Sequence, residues 1–276
     1  MIWSLDMIER FLEEKGALIT GGASGFGKGV AFAFAERGAD LVLVDINEEL
    51  LMETSKKITQ QTGQKVIPIV CDVSKSDQVE EMAKQAFKEL NNVYLLFNNA
   101  GVGYPYGMDL LRTKEKDWDR ILDINLKGQW LVSKNVCKRM KKQTFEPLAG
   151  KVIHTASIAG MKIDNKTPVY SLSKVGIIAM VQMLSQSLAP KITVNSISPG
   201  YHITGIYDNR EDAVKVIMDD GHVKTLLNRM GTVEDVVNVV LFLASKLSDF
   251  ITGHNFPVDG GIAEVGVPAY YFKSDI

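Results

Sequence analysis

Cysteine is scarce in this 276-residue chain, and the two present, Cys71 and Cys137, have neither the number nor the spacing of a disulfide framework or a zinc site. Histidine is nearly as rare: His154, His202, His222 and His254 are scattered, with no metal-ligating interval between them, so no metal is expected. An excess of charge is missing too. Lys and Arg total 31 against 33 Asp and Glu, and no basic stripe suggests nucleic acid. No apolar run approaches the ~18 residues of a membrane span. The first ten residues are interrupted by Asp6, Glu9 and Arg10 and lack the apolar centre of a secretory signal. Repeats and low-complexity linkers are absent. Together these absences point to a soluble chain of a reducing cytoplasm, with no membrane and no nucleic-acid partner.

What is present is alternation. Strand patterns fall at 16–20, 41–45, 66–70, 93–97, 151–155, 192–197 and 255–258. Helical periodicity occupies 25–37, 47–61, 76–90, 115–142, 168–188, 210–227 and 233–245. Continuous apolar strands such as Val93-Tyr-Leu-Leu-Phe97 suit a parallel sheet covered on both faces. The expected fold is α/β, a Rossmann-like doubly wound parallel sheet of about seven strands with right-handed crossovers. The length fits one domain with a large core. We divide it into an extension at 1–13, a domain at 14–262 with a substrate loop at about 201–228, and a tail at 263–276. The helices at 118–132 and 168–188 are apolar nearly all round, so each needs a second covered side; a deep core and a partner subunit both supply one.

Three groups of residues carry chemistry. Strand 16–20 runs into Gly21-Gly-Ala-Ser-Gly25-Phe-Gly27 and then a helix. Glycines at such a turn let the backbone approach a pyrophosphate, and the helix N-terminus offers it free N–H groups and a positive dipole end. The next apolar strand ends in Asp45, about 20 positions past the glycines, where a carboxylate accepts from both hydroxyls of an adenosine ribose. That carboxylate repels a 2′-phosphate, and neither Ile46 beside it nor Ser24 inside the turn carries a positive charge to bind one. The cofactor expected is therefore NAD(H). In the third group, Tyr170 and Lys174 share one helix face a turn apart, with Ser157 thirteen residues upstream. A nearby ammonium favours the phenolate. Free tyrosine titrates at about pH 10, and lowering that by a single pH unit takes about 1.4 kcal/mol, so a positive cofactor ring is expected to assist.

With these residues in place the chain resembles the short-chain dehydrogenase/reductase family in its compact single-domain form. The resemblance covers about residues 14–262. It rests on Thr20-Gly-x-x-x-Gly25-x-Gly27, Asp72-Val73, Asn98-Asn-Ala-Gly101, Asn125, Ser157, Tyr170-x-x-x-Lys174, Asn195 with Ser198-Pro-Gly200, and Val258-Asp-Gly-Gly261. It implies that Ser157 polarises the substrate oxygen, that Tyr170 passes the proton, and that Lys174 binds the nicotinamide ribose and lowers the tyrosine's pKa. Asn125 is implied at a distorted helical turn, anchoring a water that relays protons from Lys174. For the cofactor it implies contacts from Gly21, Ser24, Gly25, Phe26 and Gly27, and from Asp45 and Ile46. Asp72 and Val73 would meet the adenine, Asn98, Asn99, Ala100 and Gly101 the adenosine ribose, and Pro199, Gly200 and Thr204 the nicotinamide.

There are departures. The N-terminus is about ten residues longer than in a minimal member, loop 141–150 is longer, and the Ala189-Pro-Lys-Ile192 connection is shorter. His202 stands where Ile or Val is usual beside the nicotinamide; its backbone can do the same work. The substrate-facing residues expected are Tyr104, Tyr106, Met108, Ile158, Met161, Tyr201, Ile206 and Tyr207, an apolar set. The tail carries Tyr270-Tyr-Phe272 and is similar to that of bacterial hydroxysteroid dehydrogenases. The reaction expected is therefore NAD(H)-dependent interconversion of a secondary alcohol and a ketone, first of all a steroid or bile acid in steroid metabolism. A smaller alcohol, a polyol or a 3-oxoacyl substrate is the alternative, and a non-catalytic dinucleotide-sensing scaffold a remote one. The larger epimerase/dehydratase branch needs a tighter glycine spacing and an added C-terminal domain, which this chain lacks. A homo-oligomer, tetramer or dimer, is expected.

Overall fold

The computed structural model describes residues 10–103, 109–163, 165–202 and 225–265. Seven strands form one fully parallel sheet: β1 Gly16–Thr20, β2 Asp40–Asp45, β3 Val66–Val70, β4 Leu95–Asn98, β5 Gly150–Thr155, β6 Ile192–Pro199 and β7 Asn255–Val258. Their order across the sheet is β3-β2-β1-β4-β5-β6-β7. Chain order reverses between β1 and β4, which opens a crevice at the carboxyl ends of those strands, the place where such sheets bind ligands.

β1, β4, β5 and β6 are buried along their whole length, as expected of strands covered on both faces. Successive side chains enter opposite cores. Ala17, Ile19, Leu41, Leu43, Phe97 and Ile153 pack with helix α1 (Gly25–Glu36), helix α2 (Glu48–Thr62) and helix α7 (Val233–Ala244). Leu18, Val42, Val44, Leu96, Val152 and Val194 pack on the other side, against helix α3 (Ser76–Leu90), helix α5 (Gln129–Met140) and helix α6 (Pro168–Leu188). A one-residue slip of any strand would exchange its two side-chain sets, so this alternation also holds the register. Asn47 caps α2 by accepting from Leu50 N–H, and Thr232 with Asp235 forms a capping box on α7.

The expected helix 115–142 is interrupted. α4 (Glu115–Leu122) passes into a π-helical turn, Asp123–Gly128, before α5 resumes and ends at Met140. Helical periodicity survives such an inserted residue, which is why the pattern reads as one helix. β4 begins at Leu95 rather than 93, although Tyr94 still donates to Gly16 O and accepts from Lys151 N–H. Most of the expected helix 210–227 lies outside the described residues; its last positions, 225–227, are turn and bend rather than helix. Loop 141–150 is tied down by Gln143, which bonds to Val93 N–H, Val93 O and Ala149 O. Among the described residues, α6 has the length and hydropathy to cross a membrane, but half of that stretch is buried inside the protein.

Candidate functional site

The glycine turn closes on itself by contact. A Cβ on Gly27 would lie 1.9 Å from the Gly21 carbonyl oxygen, so only glycine permits this approach of helix to strand end. Ser24 is the N-cap of α1 yet makes no side-chain cap, and the first turn holds no acidic residue. The helix therefore presents uncapped N–H groups at the crevice. The turn is pinned from outside: Asp45 accepts from Ala23 N–H (3.1 Å) and Thr54 donates to Ala23 O (3.0 Å). Asp45 sits at the carboxyl end of β2, and the neighbouring Ile46 side chain is 69% exposed.

Across the switch point, Thr20 organises the Asn98–Gly101 turn. Its hydroxyl donates to Asn98 Oδ1 (3.1 Å) and accepts from Asn99 N–H and Ala100 N–H (2.9 and 3.0 Å). Asn99 Nδ2 donates back to Thr20 O and Gly21 O, which joins this turn to the glycine turn. Beyond β3, Asp72 accepts from the Ser74 N–H and hydroxyl, its own N–H donates to Gln78, and Val73 is buried against Gly128 of the π turn.

The catalytic candidates converge from three elements. Ser157 follows β5 and caps a short 3-10 turn, Ile158–Gly160, by accepting from Ala159 N–H. A Cβ on Gly160 would lie 2.7 Å from the Lys174 carbonyl carbon and 2.8 Å from its oxygen. The turn bearing Ser157 thus packs directly on the α6 backbone where Tyr170 and Lys174 stand. Lys174 is buried, donates to the Thr155 carbonyl (2.9 Å) and places its Nζ 5.4 Å from the Tyr170 ring centre. Burial, which penalises the charged form, pulls the lysine down to about 7.

Asn125 stands within the π turn, fully buried, at the distorted helical position the resemblance implies. Its Oδ1 accepts from Val102 N–H (2.8 Å), and its Nδ2 donates to Val102 O (3.0 Å) and Ser173 Oγ (3.2 Å). Both amide protons are engaged in joining the Gly101 segment to α6. Pro199 ends β6, and Gly200 just after it donates its N–H to Val258 O. His202 is buried with its ring edge-on to Phe26, centroids 5.3 Å apart, and burial lowers its pKa.

Of the substrate-facing expectations, Ile158 and Met161 flank the Ser157 turn, with Met161 Sδ accepting from Asn255 Nδ2 (3.2 Å), and Tyr201 O accepts from Gly231 N–H. Tyr104, Tyr106, Met108, Thr204, Ile206, Tyr207 and the tail aromatics lie outside the described residues. Thr20, which opens the glycine motif, joins the network behind the site together with Gln129, His154 and Thr155, three residues that no motif in the sequence singles out. Gln129 follows Asn125 by four residues, a spacing that placed it on the same helical face. No group of His, Cys, Asp or Glu among the described residues is arranged to hold a metal.

The geometry fits a dinucleotide: an uncapped helix start beside a glycine cradle, a carboxylate at the end of β2, and a polar turn between them. The family profile described as Enoyl-(Acyl carrier protein) reductase matches residues 21–263. A 3-oxoacyl-[acyl-carrier-protein] reductase FabG of Chlamydia muridarum is 34% identical, over 91% of this chain and 98% of the relative. A diacetyl reductase [(S)-acetoin forming] of Staphylococcus epidermidis is 35% identical, over 90% and 98%. An NAD+-bound xylitol dehydrogenase structure superposes with a TM-score of 0.83 at 30% identity, covering 91% of this chain and 99% of the other. The steroid expectation draws no support from these names. Here the glycine turn, the Asn-Asn-Ala-Gly turn, Ser157 and the Tyr170–Lys174 pair stand together in one site, and with these matches the chain belongs to the short-chain dehydrogenase/reductase family, an oxidoreductase acting on CH–OH and keto groups.

Proposed function

We propose that the protein interconverts a secondary alcohol and a ketone with NAD(H), using Tyr170 as acid and base. The observation that carries this reading is Lys174, a buried amine on the Thr155 carbonyl with its Nζ over the Tyr170 ring. A positive charge there stabilises the phenolate over the phenol, so Tyr170 takes a proton from an alcohol or returns it to a developing alkoxide. Ser157 holds the same oxygen and orients it. Asn125, with its side chain engaged, contributes by keeping α6 and the Gly101 segment in place; a water relay to Lys174 would run from its main-chain carbonyl.

Gly21, Ser24, Gly25, Phe26 and Gly27 would hold the pyrophosphate, Asp45 with Ile46 beside it and Asn99, Ala100 and Gly101 the adenosine ribose, and Asp72 and Val73 the adenine. Lys174, Pro199, Gly200 and Thr204 would border the nicotinamide. NAD(H) supplies the hydride acceptor or donor. The preference for NAD(H) over NADP(H) rests on the Asp45 carboxylate and on the apolar, exposed Ile46 where a 2′-phosphate would need a cation.

For substrate, the relatives' names favour a compact carbonyl compound such as a diketone, a polyol-derived ketone or a 3-oxoacyl thioester over a steroid. Small soluble substrates agree with a cytoplasmic location, and the uncovered apolar side chains of α4, α5 and α6 agree with a homo-oligomer. The deciding experiment is NADH and NADPH oxidation with diacetyl, a ketopolyol, a 3-oxoacyl thioester and a steroid ketone, run on wild type and Tyr170→Phe. The expected result is NADH-dependent reduction of a compact ketone that the variant loses by roughly 10²-fold or more. Turnover kept in Tyr170→Phe would remove the acid–base assignment, and activity with the steroid alone would restore the larger substrate.

A further inference from the structure

Two polar side chains that the proposed chemistry does not use lie one layer behind Lys174. Gln129 begins α5 and His154 is next to last in β5; they are 1% and 0% exposed. Gln129 Nε2 donates to the Thr155 carbonyl at 3.2 Å, the same oxygen that accepts from Lys174 Nζ at 2.9 Å. A carbonyl only accepts, so the amide nitrogen faces Thr155 and the amide oxygen faces His154 Nδ1, 2.7 Å away. That oxygen also only accepts, so Nδ1 carries the proton. Nε2 is then the acceptor, and Ser133 Oγ donates to it across 3.3 Å. Ser133 accepts in turn from Asn98 Nδ2 (3.3 Å), and Asn98 Oδ1 accepts from Thr20. Each direction is forced by its neighbour, from the end of β1 to the lysine. Burial holds His154 down to about 3, so the ring stays neutral and the chain of bonds keeps its direction.

We infer that Gln129 and His154 are positioning residues: Nδ1-protonated His154 orients the Gln129 amide, whose N–H shares the Thr155 carbonyl with Lys174. Two donors on one carbonyl weaken each other's hold. The Gln129 N–H thus keeps the lysine from settling wholly on Thr155 and leaves its charge available to Tyr170. Among the described residues, the titratable groups facing Lys174 are Tyr170 on its own helix and His154 from β5. The inference rests on reading Tyr170 and Lys174 as the acid–base pair.

Its test separates position from stability. His154→Phe strands a buried amide oxygen and should lower the melting temperature. Gln129→Leu/His154→Phe removes both members of the Gln129–His154 bond and leaves only the Ser133 hydroxyl without its acceptor, and such paired apolar replacement is often nearly neutral. The double variant should therefore recover stability but not function. Its kcat for alcohol oxidation should stay roughly tenfold or more below wild type. The midpoint of the acid limb should lie about half a pH unit or more higher, because the phenolate has lost part of its support. Recovery of kcat and of the wild-type midpoint along with stability would overturn the inference. Nitrogen-15 NMR of wild-type protein gives an answer even where the variants do not fold. His154 should carry its proton on Nδ1 and stay neutral from about pH 5 to 9; an Nε2–H tautomer or titration in that range refutes the proposal. Tyr170→Phe is the control. If it still turns over, the acid–base reading fails; if it is inactive while the double variant keeps the wild-type profile, only this inference fails.

Discussion

Lys174 illustrates how a site residue works against the stability of its own fold. An ordinary lysine titrates near 10.5, whereas burial brings this one to about 7. Between those values the unfolded chain binds more protons than the folded one, so this group's penalty is relieved as pH rises from 7 to 10.5. Below pH 7 both states are protonated and the full penalty remains. Lys174→Met, similar in volume and apolar, should therefore stabilise the dinucleotide-free protein at pH 7 by ~1–4 kcal/mol while ending turnover. The gain should shrink toward pH 10. Urea midpoints at the two pH values check this, and a variant less stable than wild type at pH 7 would contradict it. Asp45 makes the second prediction at this scale. Asp45→Ala with Ile46→Arg removes the repulsion of a 2′-phosphate and adds a charge-assisted donor. The ratio of kcat/KM for NADPH over NADH should rise by roughly 10²-fold or more; an unchanged ratio, or a native enzyme already preferring NADPH, would show the reading of Asp45 to be mistaken.

The functional elements are joined by contacts that leave no room for change. The 3-10 turn bearing Ser157 lies on α6 through Gly160, whose missing side chain lets it approach the Lys174 main chain. Gly160→Val should force the turn off the helix. We expect ~1–3 kcal/mol of lost stability from the overpacked contact and roughly 10²-fold lower kcat from the displaced Ser157 hydroxyl, with NADH affinity little changed because the glycine turn lies elsewhere. Calorimetry, steady-state kinetics and NADH titration together check it; normal kcat would mean that Ser157 does not need this packing. The π turn acts similarly, since the extra residue at Asp123–Gly128 turns Asn125 toward Val102 and Ser173.

At the scale of the whole molecule, several large apolar side chains remain uncovered on one chain. Trp118 and Trp130 of α4 and α5, and Leu172 and Met183 of α6, are between 37% and 62% exposed. Of these helices α6 is apolar nearly all round and so calls for a second covered side, whereas α4 and α5 are rich in charged and polar residues and leave these tryptophans exposed among them. Trp130→Glu/Met183→Glu should shift the protein to a smaller species in light scattering after gel filtration, because a buried unpaired charge costs several kcal/mol at an interface. A monomeric wild type, or an unaltered mass, would leave these side chains as mere surface.

Much of this architecture is readable before any coordinates, because period-two and period-3.6 patterns are local consequences of one residue following another. The seven strands, the glycine turn, Asp45 at the end of β2, and Tyr170 one helical turn before Lys174 all belong to that class. The π turn does not, since one inserted residue leaves helical periodicity nearly intact. The polar chain through Thr20, Asn98, Ser133, His154, Gln129 and Thr155 does not either. Its members come from β1, β4, β5 and α5, and nothing in their spacing says that β1 lies beside β4. The sheet order makes them neighbours, burial obliges each to find a partner, and their mutual directions then settle which nitrogen of His154 carries the proton. Residue types and their local order suffice to name the chemistry, while the packing of separate elements aims the lysine, because hydrogen-bond direction depends on distances across the sheet that no stretch of sequence contains.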